Sequence, residues 1–112
     1  MGEIARHTSS IAAPEIEMIL VWTDLAIDDL AALHDFISND NPSAADLMVR
    51  RVVDLVERQL PRMPESGRPG RVPKTRELVI VGSPYFVPYR VTGDRLEILR
   101  VIHGARRWPE AE

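Results

Sequence analysis

Residues 84–109 read PYFVPYRVTGDRLEILRVIHGARRWP, and this stretch decides the fold. It predicts two strands, Tyr85–Val91 and Arg95–Ile102, joined by the tight turn Thr92-Gly93-Asp94. Glycine at the tip supplies the positive φ that such connections commonly need. β-Branched and aromatic side chains fill both arms, as expected where side chains pack on a pleated surface. The sequence therefore predicts a β-hairpin around which the rest of the chain is organised.

The second arm of this hairpin continues without a break into residues 103–108, HGARRW. A basic and aromatic tail at the end of a strand is unusual for a purely structural element, so the tail is a candidate binding surface. Pro88 interrupts the first arm, because a proline within a sheet removes one ladder hydrogen bond. We expect either that this strand lies locally at an edge or that a bulge absorbs the proline.

Composition indicates one globular domain. With 112 residues and 45% hydrophobic content, the chain can bury a modest core. It contains no cysteine, which excludes a disulfide framework and a thiolate metal site and fits a reducing cytosol. His7, His34 and His103 lack a ligand-like spacing, so we expect neither a metal nor another cofactor.

The sequence also lacks the patterns that direct a chain to a membrane. No apolar run approaches the ~20 residues that a membrane helix requires. The N-terminus lacks the continuous apolar core of a secretory signal. We therefore expect a cytoplasmic protein without a membrane partner.

The net charge of −3 hides a division along the chain. Residues 1–57 contain 3 Lys+Arg and 11 Asp+Glu, whereas residues 58–108 contain 11 Lys+Arg and 4 Asp+Glu. The first segment therefore carries −8 and the second +7. Solvated faces can differ in this way, but so large a difference favours a basic working surface on the C-terminal half. Nucleic acid or an acidic protein segment is the natural partner of such a surface.

Two helices are predicted before the hairpin. Apolar residues recur at helical spacing from Ala26 to Ile37, and Thr23 or Asp24 can cap this first helix. Asn41 and Pro42 then provide the N-cap and the first position of a second helix. The short connection makes the two helices an antiparallel hairpin. The expected elements are helices over 24–39 and 42–61, and strands near 19–23, 76–81, 85–92 and 95–103.

The expected domain begins at Met18. We interpret residues 1–17 as a flexible extension, residues 18–108 as the domain and residues 109–112 as a C-terminal tail. Inside the domain, residues 64–75 read PESGRPGRVPKT, a loop of prolines and glycines with three basic side chains. Glycines let the backbone approach a ligand, and prolines limit the entropy lost on ordering. A binding loop and an ordinary connector both fit this composition.

The predicted order β-α-α-β-β-β gives an α+β domain, in which a helical hairpin packs on a small, mainly antiparallel sheet. Several short motifs follow one another within this frame: Trp22, Ala26 and Leu30; Asn41, Pro42 and Ala45; Pro64, Gly67, Arg68, Arg71 and Thr75–Leu78; Tyr85 and Tyr89–Val91; and Ile98–Gly104. In their order and spacing they resemble the RelE/ParE family of bacterial toxins from type II toxin–antitoxin systems. That family has the predicted fold.

The resemblance implies a growth-inhibiting toxin that a cognate antitoxin, encoded beside it, holds inactive. It leaves two targets open, because one scaffold hosts different activities. RelE-like members cut messenger RNA on the ribosome, and ParE-like members poison DNA gyrase. A non-toxic nucleic-acid-binding or interaction module is a third alternative, although both helices are too acidic or mixed to suit a DNA groove.

The residues expected for RNA cleavage are His103, Arg90 and Arg76, if the protein is a nuclease. Cleavage needs a group that moves a proton and cations that stabilise the developing phosphate charge. RelE-like nucleases typically place an arginine just after the position of His103 and a tyrosine near the C-terminus. This chain has Gly104 and Trp108 there, and indole has no useful proton to transfer. The sequence therefore favours the gyrase target over the ribosome, with His103 as a strand-end hydrogen-bonding residue.

The expected target-binding residues come from the loop and from the tail. In strand parity, Arg100 and His103 point to opposite faces unless a bulge intervenes, which makes Arg100 a helix-side or edge residue. We interpret Asp28 and Asp29 as favourable charges at a helix start. An extended or helical antitoxin segment is expected to cover the apolar grooves beside the helical hairpin and the sheet, and to be acidic where it crosses Arg68, Arg71, Arg90 or Arg106. The target-binding set is Arg68, Arg71, Arg106, Arg107 and Trp108.

Overall fold

The computed structural model describes residues 18–109. The predicted extension, 1–17, and the predicted tail beyond Pro109 lie outside the described residues. None of the helices among the described residues is both long and apolar enough to cross a membrane. The elements in chain order are β1 (Ile19–Trp22), α1 (Asp24–Ser38), α2 (Pro42–Gln59), β2 (Arg68–Pro69), β3 (Arg76–Val79), β4 (Tyr85–Thr92), β5 (Arg95–Ile98) and β6 (Ile102–His103).

Both helices begin at a side-chain cap. The Thr23 hydroxyl accepts a hydrogen bond from the backbone N–H of Ala26 at 3.2 Å. The Asn41 side chain accepts one from the N–H of Ala44 at 3.1 Å, and Pro42 follows as the first helical residue. Each cap satisfies an N–H that has no partner inside its own helix. Of the two candidate caps of α1, Thr23 and Asp24, the structure shows Thr23, and the Asn41 cap and the helical hairpin are as the sequence predicts.

The sheet has the strand order β1-β5-β4-β3-β2, with β6 also paired to β4. β1 runs parallel to β5, and the other pairs are antiparallel. The predicted α+β fold with a mainly antiparallel sheet is therefore confirmed. β2 was not predicted, since its two residues lie inside the segment that the sequence indicates as a loop.

A β-bulge interrupts the predicted strand 95–103. Tyr89 lies opposite Ile98 and Tyr85 opposite His103, so four steps along β4 match five steps along the other side. The one extra residue bends this side of the ladder and shifts its alternation. Of the two expectations for Pro88, the structure shows the bulge.

The bulge and Pro88 share one explanation. The N–H of Leu99 donates to the carbonyl of Pro88 at 2.9 Å, but proline has no N–H to return the bond. The carbonyl of Leu99 lies instead 3.1 Å from the Thr23 hydroxyl, which also lies 2.8 Å from the carbonyl of Ile98. The residue that caps α1 therefore replaces the missing ladder bond.

The core lies between the helices and one face of the sheet. Odd-numbered residues of β4 face the helices, whereas Phe86 and Arg90 belong to the opposite, outer face. The buried core residues from the two helices are Ala26, Leu33, Val52 and Val56, and those from the sheet side include Leu78, Ile80, Tyr85, Val87, Tyr89, Leu96, Ile98 and Val101.

Candidate functional site

A buried carboxylate organises the outer face of the sheet. Glu77 in β3 is 1% exposed. Its Oε1 accepts hydrogen bonds from Nε and Nη2 of Arg68 at 3.1 and 2.9 Å. Its Oε2 accepts one from the backbone N–H of Arg71 at 3.1 Å, with the Nε of Arg71 at 3.5 Å. Both oxygens of the carboxylate are therefore used by the loop that precedes β3.

The local sequence explains why the loop closes onto Glu77. Arg68 lies opposite Glu77 in the β2–β3 ladder, so the two side chains share the outer face. Gly70 donates its N–H to the carbonyl of Thr75 at 2.8 Å, and a Cβ on Gly70 would lie 2.9 Å from that carbonyl. A glycine is needed there because the two arms of the loop approach so closely.

A second close approach pins the start of this loop. The Tyr89 hydroxyl donates to the carbonyl of Pro64 at 2.8 Å and accepts from the N–H of Gly67 at 2.9 Å. A Cβ on Gly67 would lie 2.6 Å from the Tyr89 hydroxyl. The backbone of residues 64–75 is therefore held at both ends, and the choice between a binding loop and an ordinary connector stays a prediction.

Phe86 forms the apolar floor beneath the two arginines. Its ring is 3% exposed, because the guanidinium carbons of Arg68 and Arg71 lie 5.6 and 4.8 Å from the ring centroid. A cation over an aromatic face is attracted by the ring quadrupole. Each arginine is therefore held at two points, by the carboxylate of Glu77 and by the ring.

The basic and aromatic tail, residues 103–108, joins this group. Nη1 of Arg71 donates to the carbonyl of Trp108 at 3.4 Å, and the Trp108 ring centroid lies 6.0 Å from the guanidinium carbon of Arg100. The indole N–H of Trp108 is buried and has no acceptor among the described residues. We define the outer-face cluster as Arg68, Arg71, Glu77, Phe86 and Trp108.

The start of the tail is fixed to the edge of the sheet. The N–H of Gly104 donates to the carbonyl of Pro84 at 2.6 Å, and the N–H of Arg106 donates to the carbonyl of His103 at 2.9 Å. The side chains of Arg106 and Arg107 are exposed. Of the predicted target-binding residues, Arg68, Arg71 and Trp108 are thus brought together, and Arg106 and Arg107 lie on the adjoining turn.

The residues predicted for RNA cleavage do not converge. Nη1 of Arg76 donates to the carbonyls of Glu65 and Gly67 at 3.2 and 2.8 Å. Arg90 lies on the outer face, where its Nη2 is 2.7 Å from Glu97.

His103 is separated from both arginines. It packs on Tyr85 with 5.3 Å between ring centroids, and its Nδ1 accepts from the N–H of Ala105 at 3.0 Å. Arg76 and His103 are four β4 positions apart, about 13 Å. The three side chains therefore form no common site for one phosphate.

Asp29 has a different role from the one predicted. Its two oxygens accept from Nε and Nη2 of Arg100 at 2.7 and 3.0 Å, and Oδ2 also accepts from the N–H of Val101 at 2.9 Å. The interpretation as a favourable charge at a helix start is wrong for Asp29, because it bonds to the bulge across the core. The expected helix-side position of Arg100 agrees with this contact.

A groove of about 840 Å³ lies between α2 and the open edge of β3, and we call it the α2–β3 groove. The sequence predicts an apolar groove beside the helical hairpin and the sheet, but its lining residues depend on how α2 packs against the sheet. Its apolar floor includes Leu47 and Val81, which are 63% and 71% exposed. The lining residues are Leu47, Arg50, Arg51, Asp54, Leu55, Arg58, Gln59, Ser66, Arg68, Glu77, Leu78, Val79 and Val81.

Comparison with known proteins identifies the class. The family described as the ParE toxin of type II toxin–antitoxin system, parDE, matches residues 20–108. The protein Y4kP of Sinorhizobium fredii is 43% identical over 89 residues, covering 80% of this chain and 91% of its own length. Toxin RelE2 of Caulobacter vibrioides is 38% identical over 87 residues, covering 78% and 96%.

Two solved structures share the fold. A chain of the chromosomal ParDE system from P. aeruginosa superposes with a TM-score of 0.72 at 33% identity, over 80% of this chain and 98% of that one. A chain of the toxin–antitoxin complex RelBE2 from Mycobacterium tuberculosis gives a TM-score of 0.60 at 26% identity, over 79% and 99%.

A helical hairpin on a mixed, mainly antiparallel sheet is thus the fold of a type II toxin. The chain belongs to the ParE toxin family of type II toxin–antitoxin systems. Its general function is that of the toxin component of such a system.

Proposed function

We propose that this toxin acts by binding DNA gyrase and inhibiting it, and that a cognate antitoxin neutralises it. The observation that carries the proposal is the outer-face cluster. Two separate segments, the loop around Arg68 and Arg71 and the tail ending at Trp108, form one basic and aromatic surface. Arginine and tryptophan are the residues that most often supply binding energy at protein interfaces.

The alternative of ribosome-dependent RNA cleavage lacks a comparable arrangement. A general acid or base must lie within hydrogen-bond reach of the proton that it moves. The cations that neutralise the phosphate must surround the same point. Here Arg76 bonds to backbone carbonyls, Arg90 bonds to Glu97 on the outer face, and His103 lies apart at the edge of the sheet. Inhibition by binding requires no such convergence.

The proposed docking surface for the antitoxin is the α2–β3 groove. Its floor is apolar, with Leu47 and Val81 exposed, and apolar burial supplies most of the affinity at such interfaces. Arg50, Arg51 and Arg58 line it against the single carboxylate of Asp54, since Glu77 is already bonded to Arg68. An acidic segment with apolar side chains matches this surface, whereas the apolar floor suits nucleic acid poorly.

The edge of β3 adds a backbone element to this surface. β2 covers only Arg76 and Glu77 of β3. The N–H of Ile80 donates to the carbonyl of Tyr85 in the hairpin, so by alternation the N–H and C=O of Val79 point to the open side. An extended segment of the antitoxin can therefore add hydrogen bonds at Val79. The proposed antitoxin segment crosses Arg68, as the sequence predicts, and it also crosses Arg50 and Arg51 in the groove.

The test pairs a gyrase supercoiling assay with primer extension on translating ribosomes. We expect the wild type to inhibit supercoiling and leave ribosome-bound mRNA intact. Trp108→Ala should lose inhibition, because it removes the aromatic end of the outer-face cluster. His103→Ala is the matched control, since it alters the same end of the sheet and should inhibit nearly as well as the wild type. Codon-positioned mRNA cuts by the wild type that disappear in His103→Ala would overturn the proposal.

A further inference from the structure

Glu77 is the one charged residue among residues 18–109 that is fully buried. A buried carboxylate is tolerated only when hydrogen bonds and opposite charges replace its lost hydration. Glu77 obtains them entirely from Arg68 and Arg71. The position of the loop is therefore tied to the burial of this carboxylate.

The side chains of Arg68 and Arg71 each have one side bound to Glu77 and one side open to solvent. Their side chains are 49% and 44% exposed, so one side of each guanidinium faces the carboxylate and the other remains open to solvent. A long, flexible arginine side chain normally loses rotamer freedom when it binds a partner. Here the contacts with Glu77 and Phe86 already restrict the rotamers of both arginines before any target binds.

Arg71 extends the same arrangement to the tail. It contacts Glu77 through its backbone N–H and its Nε, and it contacts the carbonyl of Trp108 through Nη1. One buried carboxylate in β3 is thereby connected through one side chain to a tail 31 positions further along the chain.

We propose that Glu77 is the positioning residue of the target-binding surface: it aligns Arg68 and Arg71 over Phe86 and, through Arg71, holds the tail that carries Trp108. Glu77 itself does not touch the target, because it is 1% exposed. This inference rests on the proposed function for its target, while the positioning itself is a property of the free protein.

The experiment uses Glu77→Gln, which keeps the shape and one acceptor oxygen but removes the charge. Glu97→Gln is the matched control, because Glu97 also lies on the outer face and pairs with an arginine, Arg90. Amide hydrogen exchange is measured in segments 67–75 and 104–109 of the full chain. We expect Glu77→Gln to speed exchange in both segments by roughly tenfold or more, as for loss of a bond to a buried charge. Glu97→Gln should leave both segments at the wild-type rate.

A second variant separates positioning from general loss of structure. Arg71→Gln removes the side chain that reaches Trp108 but leaves the pairing of Arg68 with Glu77. It should speed exchange in segment 104–109 far more than in the part of the loop around Arg68. Exchange in α2 is the internal reference, and it should stay unchanged in every variant that is folded. This pattern cannot arise from uniform destabilisation.

The inhibition assay gives the second readout. We expect the concentration of Glu77→Gln needed for half-inhibition of gyrase to rise about tenfold, with the same maximal inhibition, as when a preorganised surface becomes mobile. Wild-type exchange rates in both segments of folded Glu77→Gln would overturn the inference, even if Trp108→Ala loses inhibition. So would faster exchange combined with undiminished inhibition. If exchange responds as expected but the wild type does not inhibit gyrase, the proposal of gyrase as the target is wrong, whereas the proposal that Glu77 positions the loop and the tail is supported.

Discussion

Asp29 binds Arg100 through both carboxylate oxygens, at 2.7 and 3.0 Å, across 71 positions of the chain. Both side chains are largely buried, with 13% and 15% of their surfaces exposed. The pair attaches α1 to the bulge that ends β5. A contact so distant in sequence forms only when α1 and the end of β5 come together in the folded structure.

Asp29→Ala should lower the free energy of unfolding by about 3 kcal/mol, because it removes two charge-assisted bonds and the acceptor for Val101 from a largely buried site. Urea unfolding measures the loss. Asp28→Ala, at the exposed neighbouring position of α1, should change stability by less than about 0.5 kcal/mol. Equal losses in the two variants would contradict the role assigned to Asp29.

The stability of the protein should fall when the hydroxyl of Thr23 alone is removed. Thr23→Val keeps the shape but removes both the cap of α1 and the bond to the carbonyls of Ile98 and Leu99. We expect a loss of about 1–2 kcal/mol in thermal or urea unfolding. Thr23→Ser restores the hydroxyl and should recover most of that loss. If the valine and serine variants were equally stable, the hydroxyl would have no role in replacing the ladder bond at Pro88.

Alkaline pH should weaken the fold through Tyr89. Burial raises the pKa of the Tyr89 hydroxyl above its ordinary value of 10.0, and it raises the pKa of Tyr85 as well. Above pH ~10 the unfolded chain loses these protons while the folded chain keeps them, so stability falls as pH rises. Below the ordinary tyrosine pKa the contribution is fully present.

The variant Tyr89→Phe tests whether stability falls with rising pH because of Tyr89. It should be less stable than the wild type near neutral pH, because it loses the bonds to Pro64 and Gly67. Its stability should then decline less steeply as pH rises past the tyrosine range. Urea unfolding midpoints at a series of pH values measure both effects. Parallel curves for the two proteins would show that Tyr89 does not titrate differently in the folded state.

Charge in the α2–β3 groove should control how fast the antitoxin associates. Arg50→Ala and Arg58→Ala should each lower the association rate constant by about 3- to 10-fold at low salt and reduce its salt dependence. Arg95→Ala, an exposed arginine on β5 outside the groove lining, is the control and should change little. Stopped-flow mixing with the purified antitoxin provides the rates. A rate insensitive to salt in the wild type would remove the electrostatic part of the proposal.

The sequence predicted those parts of the molecule that local patterns determine. The caps at Thr23 and Asn41, the turn at Gly93 and both helices follow from residue types within a few positions of one another. The sequence also indicates the arginines of the loop and tail and Trp108 as candidate target-binding residues, because such residues in a polar segment are recognisable without any pairing, and this stays a prediction. Composition alone could not show that Arg71 and Trp108 would meet.

The features that were missed depend on register. Glu77 becomes the centre of the outer face only because Arg68 lies opposite it in a two-residue strand that no local signal indicates. One sequence feature that could have indicated the role of Glu77 was its position as an acidic residue within the otherwise largely apolar strand 76–81. The division of charge along the chain predicted a basic surface from the C-terminal half alone. Arg50 and Arg51, which belong to the acidic first half, also line the basic groove.

The parallel pairing of β1 with β5 has a consequence for how the toxin comes into existence. Among residues 18–109, Ile19–Trp22 pairs with no strand other than Arg95–Ile98. The first of these two strands is synthesised more than 70 residues before the second. A nascent or prematurely terminated chain that stops before Arg95 lacks that partner, the anchor for Asp29 and the entire tail. We therefore expect a chain that stops before Arg95 to lack the complete sheet, so that the fold can form only after β5 has been synthesised.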